Sequence, residues 1–196
     1  MVQVNASEAI NKLKAKYGPM SSDRRRLAVA RAINHTMAKV KTMSSRQIRE
    51  VYALDAKTVN SALSQVKADR LTLTGKVVGK GKPIPLYKFK ARQTAKGVTV
   101  EVKRGKRKII PGVFLVSLNN GHTGVMFRGK YAGRNMQRRK NRIKPTGPDL
   151  PITEMRGVSI PKSLTNDVVT KSLMRGINDM FPKRLEHEIK RVESIV

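Results

Sequence analysis

The sequence contains no cysteine and no tryptophan, and it has only four tyrosines and four phenylalanines in 196 residues. The absence of cysteine excludes disulfide bonds, thiolate metal sites and cysteine nucleophiles. No apolar run approaches the roughly 18–20 residues of a membrane-spanning helix, and the first residues lack the apolar core of a signal peptide. We therefore expect a protein that assembles in the cytoplasm, without a membrane, around a modest hydrophobic core.

Acidic residues are also scarce. The chain has 42 lysines and arginines against 13 aspartates and glutamates, which gives a formal net charge of +29. Residues 71–145 contain 20 of the bases and a single acid, Glu101. Like charges at this density repel one another unless an anion screens them. The middle of the chain is therefore predicted to face a polyanion.

Residues that could support catalysis or bind a metal are few and scattered. His35, His122 and His187 lie far apart in the sequence, and the Glu-His-Glu run at 186–188 is expected on an exposed helix face. The stretch "GKVVGKGK" (75–82) imitates a phosphate loop, but no serine or threonine follows its lysine, and a β-turn is the better interpretation. We expect no enzymatic activity, no metal and no cofactor.

Hydrophobic periodicity predicts helices at both ends of the chain. A spacing of three to four residues predicts helices over 5–16, 22–41, two short ones within 43–68, and one over 162–180. Pro182 suits the first turn of a last helix over 182–195. Between residues 71 and 128 the period changes to two, which indicates antiparallel strands joined by glycine-containing turns.

These patterns predict an α+β fold with N-terminal helices, a central, mostly antiparallel β-sheet and C-terminal helices. The predicted organisation is a helical region at 1–70, a basic sheet at 71–161 and C-terminal helices at 162–196, in one compact domain with arms. Two side-chain predictions follow from the alternation. One face of the sheet should be buried, with Phe114, Val116, Val125 and Phe127 on it. The basic side chains that alternate with the apolar ones should face solvent or a partner, and the predicted site residues among them are Lys88, Lys90 and Lys103.

The most basic segment is "GKYAGRNMQRRKNRIKPTG" at 129–147, which has seven cations and no acid. These cations are Lys130, Arg134, Arg138, Arg139, Lys140, Arg142 and Lys144. A solvated loop is one interpretation. The other is contact with a polyanion, for which DNA is our first expectation and an acidic protein surface the second.

An alternative function lies in residues 46–63, "RQIREVYALDAKTVNSAL", which imitate a helix-turn-helix motif. Lys57, Thr58 and Asn60 would begin its recognition helix. Two features argue against this interpretation. Arg49 occupies a position that usually holds a small residue, and the predicted turn lacks a glycine.

Two stretches carry a resemblance to a known family: "IPGVFLVSLNNGHTGVMFR" (110–128) and "LPITEMRGVSIPKSLTNDVV" (150–169). They resemble the minor tail protein Z, or tail completion, family of tailed bacteriophages and prophages. The matching positions are Ile110, Pro111, Gly112, Phe114, Asn120, Gly121, Val125, Met126, Phe127, Arg128, Pro151, Ile152, Ile160 and Pro161. Residues 129–147 are longer than the corresponding family link, so no family role is transferred to them.

The resemblance implies a structural virion protein in the neck region, at the head-proximal end of the tail, that helps to join head and tail and to position the DNA end. The implied partners are further copies in a ring, for which phage tail symmetry predicts a hexamer, together with the tail terminator, tail tube and head connector. Genomic DNA in the channel is a further implied partner. The alternative function is a helix-turn-helix or other basic nucleic-acid-binding protein.

Overall fold

The computed structural model describes residues 2–5, 23–118, 121–128, 130–132, 135–137 and 152–194. The chain forms two compact units. The helical unit comprises Met1–Glu50, Ala56–Lys82 and Ile160–Val196, and the sheet unit comprises Val51–Asp55 and Pro83–Ser159. Within the described ranges, no helix combines the length and hydropathy that a membrane crossing requires.

Within the described residues, the helical unit contains four helices: α1 (Asp23–Val51), α2 (Ala56–Ser61), α3 (Ile160–Leu164) and α4 (Asp167–Glu193). Helix α1 has neither glycine nor proline, and its apolar residues recur every three or four positions, as Val29, Ile33 and Met37 show. All three side chains are completely buried. The predicted break after residue 41 does not occur, because this buried stripe continues through Ile48.

Helix α4 begins where the Asn166 side chain accepts a hydrogen bond from the backbone N–H of Val168 (3.1 Å), a typical N-cap. It then runs without interruption past Pro182. The prediction that Pro182 starts a separate helix is therefore wrong. Phe181 and Leu185 are both buried on either side of the proline, and their packing supports a helix that local preference alone would end.

In the part of the helical unit that the structure describes, there are also three antiparallel strands: β1 (Val2–Asn5), β2 (Leu63–Val66) and β3 (Thr74–Gly79), in the order β1-β3-β2. Gly75 in β3 lies so close to α1 that an added Cβ would meet Ile33 and Met37. Two of these strands, β1 and β2, lie within residues 1–70, so the region predicted to be helical also contains strands. The predicted helix over 5–16 lies outside the described residues, except for Asn5 in β1.

Where the structure describes the sheet unit, it contains two three-stranded antiparallel sheets. One is β4-β5-β6, formed by Arg92–Thr94, Gly97–Lys103 and Lys106–Pro111. The other has the order β11-β8-β7 and is formed by β7 (Val113–Ser117), β8 (Thr123–Arg128) and β11 (Ile152–Glu154). A separate two-stranded hairpin joins β9 (Lys130–Ala132) to β10 (Asn135–Gln137).

The phase predicted for β7 is wrong by one residue. Val113 pairs with Phe127 and Phe114 pairs with Met126, so Phe114 lies on the opposite face from Phe127. Phe127 and Val125 are buried, whereas Phe114 and Val116 are only half-buried. Both faces of this hairpin are apolar, so alternation alone could not assign the buried one.

The predicted α+β class is confirmed, with an N-terminal helix, antiparallel sheets in the middle and C-terminal helices. Residues 84–91, "IPLYKFKA", lie in the range predicted to form strands but do not form one. They form a 3-10 helix at Leu86–Lys88 followed by a turn, in which Lys90 has a φ of 50°. Phe89 is completely buried there, and its carbonyl accepts a hydrogen bond from the N–H of Glu101 (2.9 Å). This anchoring of Phe89 replaces the expected strand pairing.

Candidate polyanion-binding surface

The strongest concentration of charge among the described residues is the turn between β5 and β6. Residues 103–108, "KRGKRK", contain five cations in six positions, and we call them the basic hairpin. Gly105 supplies the turn with a φ of 75°, which a side chain would disfavour. Lys103 pairs directly with Lys106 across the two strands. Like charges in this arrangement are destabilising, so folding alone does not account for them.

The end of β5 is held by the segment 51–55. The N–H of Ala53 donates to the carbonyl of Val102 (3.2 Å), and the N–H of Arg104 donates to the carbonyl of Val51 (3.0 Å). Tyr52 forms a β-bridge with Lys103 and is buried. The basic hairpin is therefore attached to folded structure at its base.

Glu101 organises the charges beside this hairpin. Its Oε1 accepts a hydrogen bond from the N–H of Gly105 (2.9 Å), and its Oε2 lies 3.5 Å from Lys90 Nζ and 3.5 Å from an Arg107 nitrogen. The hydrogen bond from Gly105 is the main reason that the pKa of Glu101 lies below its usual range, with Lys90 and Arg107 adding to the effect. The one acid of residues 71–145 is thus committed to holding the turn.

The remaining cations of the hairpin have no such compensation. Among the described residues, no carboxylate lies within ion-pair distance of Lys103, Arg104, Lys106 or Lys108, and all four are exposed. A cationic two-stranded ribbon of this kind can meet phosphates without reading bases. The arrangement therefore suits a polyanion of any sequence.

The structure places the sequence-predicted cations in different settings. Lys90 and Lys103 both belong to this surface: Lys90 contacts Glu101, and Lys103 lies two residues further along β5. Lys88 is exposed in the 3-10 helix, not on a strand. Arg104, Lys106, Arg107 and Lys108 were not among the predicted site residues, although the run "KRGKRK" is visible in the sequence.

Most of the predicted basic segment 129–147 lies outside the described residues. Lys130 belongs to β9, where only the backbone is described. The other predicted cations of the segment lie outside the described ranges: Arg134, Arg138, Arg139, Lys140, Arg142 and Lys144. Their contact with a polyanion stays a prediction.

The residues that carry the family resemblance have structural positions. Ile110 and Pro111 are the last residues of β6. Gly112 follows them with a φ of 70° and connects β6 to β7. Arg128 lies with its guanidinium carbon 5.5 Å from the centre of the Phe114 ring, a cation–π contact.

The other motif residues mark turns and strand or helix ends. Gly121 has a φ of 79° in the turn to β8. Ile152 pairs with Arg128 in β11 and is exposed. Pro161 lies in the first turn of α3, and Pro151 lies outside the described residues.

The structure does not support the two motifs that the sequence imitates, the helix-turn-helix and the phosphate loop. Residues 46–63 contain the end of α1, the six-residue α2 and the start of β2, so they do not form a helix-turn-helix. Residues 75–82 contain most of β3, and the next helical element is only the single 3-10 turn at Leu86–Lys88. No group of three or more potential metal ligands occurs within the described ranges.

The expected exposure of the Glu-His-Glu run is wrong for Glu188. This residue is only 2% exposed and pairs with Arg184 one helical turn earlier. Glu186 and His187 are exposed, as expected. Glu188 is buried because it lies on the face of α4 that also buries Leu185 and Ile189.

The family model for prophage minor tail protein Z matches residues 5–193 of the chain. Neither the curated proteins nor the solved structures contain a match to this sequence.

Proposed function

Since the chain belongs to the prophage minor tail protein Z family and is therefore a phage tail protein, we propose that it completes the tail at its head-proximal end. In this position, the neck, it helps to join the tail to the head and holds the DNA end. Its neighbours there are the tail terminator, the tail tube and the head connector. Membership of a structural tail family favours a role without catalysis.

The observation that carries the DNA-holding part of this proposal is the basic hairpin. It presents four exposed cations that no described acid neutralises. A protein that holds the end of any genome needs phosphate contacts and no base preference, and lysines on a β-ribbon provide such contacts. Copies repeated around the tail axis would multiply this charge around the channel.

The experiment compares two triple variants with the unmodified chain. In the hairpin variant, Lys103, Lys106 and Lys108 are replaced by Gln. In the matched control, the exposed Lys57, Lys171 and Arg175 of the helical unit are replaced by Gln, which removes the same charge. Binding to a blunt DNA duplex is measured over a range of salt concentrations.

The hairpin variant should show a shallower salt dependence, since each lost phosphate contact lowers the log–log slope by about 0.9. The control should retain a steeper slope. In phage particles, the hairpin variant should also release the DNA end from the tail entrance more readily. Equal slopes for the two variants, with normal retention of DNA, would exclude the hairpin as the contact.

Residues 129–147 are proposed as a second contact with the same DNA. Replacing Arg138, Arg139, Lys140 and Arg142 with Ser should leave assembly intact and weaken DNA retention, because only phosphate contacts are removed. Electron microscopy of the lysate checks both. Tails that fail to assemble, or to join heads, would instead assign the segment to an acidic protein surface.

A basic nucleic-acid-binding protein that acts outside the virion is the second candidate, because the same hairpin could bind free nucleic acid. It predicts tight binding by the purified chain and no copy of the chain in purified tails. Mass spectrometry of purified tails distinguishes the two functions.

A further inference from the structure

A cleft of about 330 Å³ lies between helices α1 and α4, within the helical unit. Helix α1 contributes His35, Thr36 and Lys39. Helix α4 contributes Met180, Lys183, Arg184 and His187. These residues play no part in the basic hairpin, which belongs to the other unit.

The charge of the cleft is mainly positive. Lys39 and Lys183 are exposed, and no described carboxylate lies within ion-pair distance of either. The acid at position 186 is paired with Lys190. Among the described residues, Glu188 is the acid whose charge acts on His35 in the cleft, and it is bound to Arg184. An anion that entered the cleft would therefore meet two uncompensated ammonium groups.

Arg184 lines the cleft, and its guanidinium is bound to the buried carboxylate of Glu188. Glu188 is 2% exposed, and neither its Oε2 nor Arg184 Nε has a hydrogen-bond partner. Buried polar atoms usually find partners, and a buried pair that lacks them costs stability. The ion pair with Glu188 holds the Arg184 guanidinium in place beside the cleft.

The size and the lining of the cleft restrict the occupant. Ligand pockets span roughly 300–1,000 Å³, so this cleft is small and has no room for a duplex. Met180 and the methylene stems of Lys39 and Lys183 provide apolar surface beside the charged groups. A carboxylate next to an aliphatic side chain matches both features, whereas a phosphodiester backbone matches only the charge.

We propose that this cleft binds an acidic peptide segment of another virion protein, with a carboxylate against Lys39 and Lys183 and an aliphatic side chain against Met180. The site is a protein-docking site, distinct from the DNA contact of the basic hairpin. It does not depend on that contact.

The binding test uses the full chain and a dye-labelled peptide of alternating leucine and glutamate. The same peptide with glutamine in place of glutamate is the control ligand. The cleft variant replaces Lys39 and Lys183 with Gln, and the matched control variant replaces Lys171 and Arg175, which lie on α4 outside the cleft. None of these substitutions touches the buried pair.

The acidic peptide should bind the cleft variant about fivefold more weakly than the control variant, because two partly screened ion pairs are lost. The glutamine peptide should bind all variants weakly and equally. Equal affinity of both variants for the acidic peptide would overturn the proposal. Displacement of the peptide by a DNA duplex, with the same dependence on Lys39 and Lys183, would also overturn it.

The pH dependence provides a second readout. Burial, followed by Arg184 and Lys39, holds the pKa of His35 below its usual range; His187 acts in the same direction and Glu188 in the opposite one. A bound carboxylate favours the protonated imidazole, so binding of the peptide should tighten as the pH falls through the titration of His35. The variant His35→Gln should show less of this tightening. An affinity with the same pH dependence in both proteins would contradict a ligand in the cleft.

Discussion

At the scale of single residues, Phe114 and Phe127 occupy opposite faces of the β7–β8 hairpin. Phe127 is 1% exposed, so Phe127→Ala should lower the free energy of unfolding by about 3–5 kcal/mol. Phe114 is half-buried beneath Arg128, and Phe114→Ala should cost only about 1–2 kcal/mol. Urea denaturation of both variants measures the difference. Equal losses would contradict the observed register.

Glu101 makes the basic hairpin sensitive to acid. Its pKa is lowered first by the hydrogen bond from Gly105 and then by Lys90 and Arg107. A carboxylate with a lowered pKa stabilises the fold at pH values above its unfolded pKa, and this stabilisation is lost as the pH falls through the folded pKa.

At pH values below the usual pKa of a glutamate, hydrogen exchange of the Gly105 amide should therefore become faster relative to its intrinsic rate. Glu101→Gln removes the titrating group and keeps an acceptor, so the relative protection of Gly105 should no longer change with pH. A pH-dependent protection that persists in the glutamine variant would assign the effect to another group.

At the scale of elements, helix α4 contains a proline that its packing tolerates. Pro182 lacks the N–H that an interior helical position donates, which costs roughly 3 kcal/mol in a helix. Its side chain is exposed, so Pro182→Ala removes no buried contact. Urea denaturation should show that the free energy of unfolding of this variant is about 1–3 kcal/mol higher than that of the unmodified chain, so that the variant is more stable. The neighbouring Lys183→Ala should change it by less than about 0.5 kcal/mol. A less stable Pro182→Ala variant would show that a bend at this position is required.

At the scale of the whole molecule, the net charge of +29 makes copies of the chain repel one another. We propose a closed ring of six copies, in which like-charged subunits meet through head-to-tail contacts. Repulsion between copies is screened over about 8 Å at physiological ionic strength. Native mass spectrometry and sedimentation should therefore show that the fraction of the chain in rings increases with salt or with added duplex DNA. A chain that stays monomeric under both conditions, and in purified necks, would contradict a ring.

The sequence by itself determined the features that are local or compositional. Period-two alternation identified β3, β5, β7 and β8, and glycine positions identified the turns at Gly105 and Gly121. The scarcity of acid in residues 71–145 predicted that this part of the chain faces a polyanion, and the unit that carries the basic hairpin includes most of it, from Pro83 onward. The family was also recognisable, because its motif consists of turn and strand-end residues whose identities are set by local backbone geometry.

Tertiary packing decided what these local signals left open. Whether Phe114 or Phe127 is buried depends on which face of the hairpin meets the core, and both faces are apolar. The helices α1 and α4 continue through residues that local preference would use as ends, because burial of Ile48, Phe181 and Leu185 outweighs that preference. His35 and His187 are separated by most of the chain, and only the antiparallel packing of α1 against α4 brings them to one cleft. Contacts between residues distant in sequence set all three outcomes, and no local pattern records them.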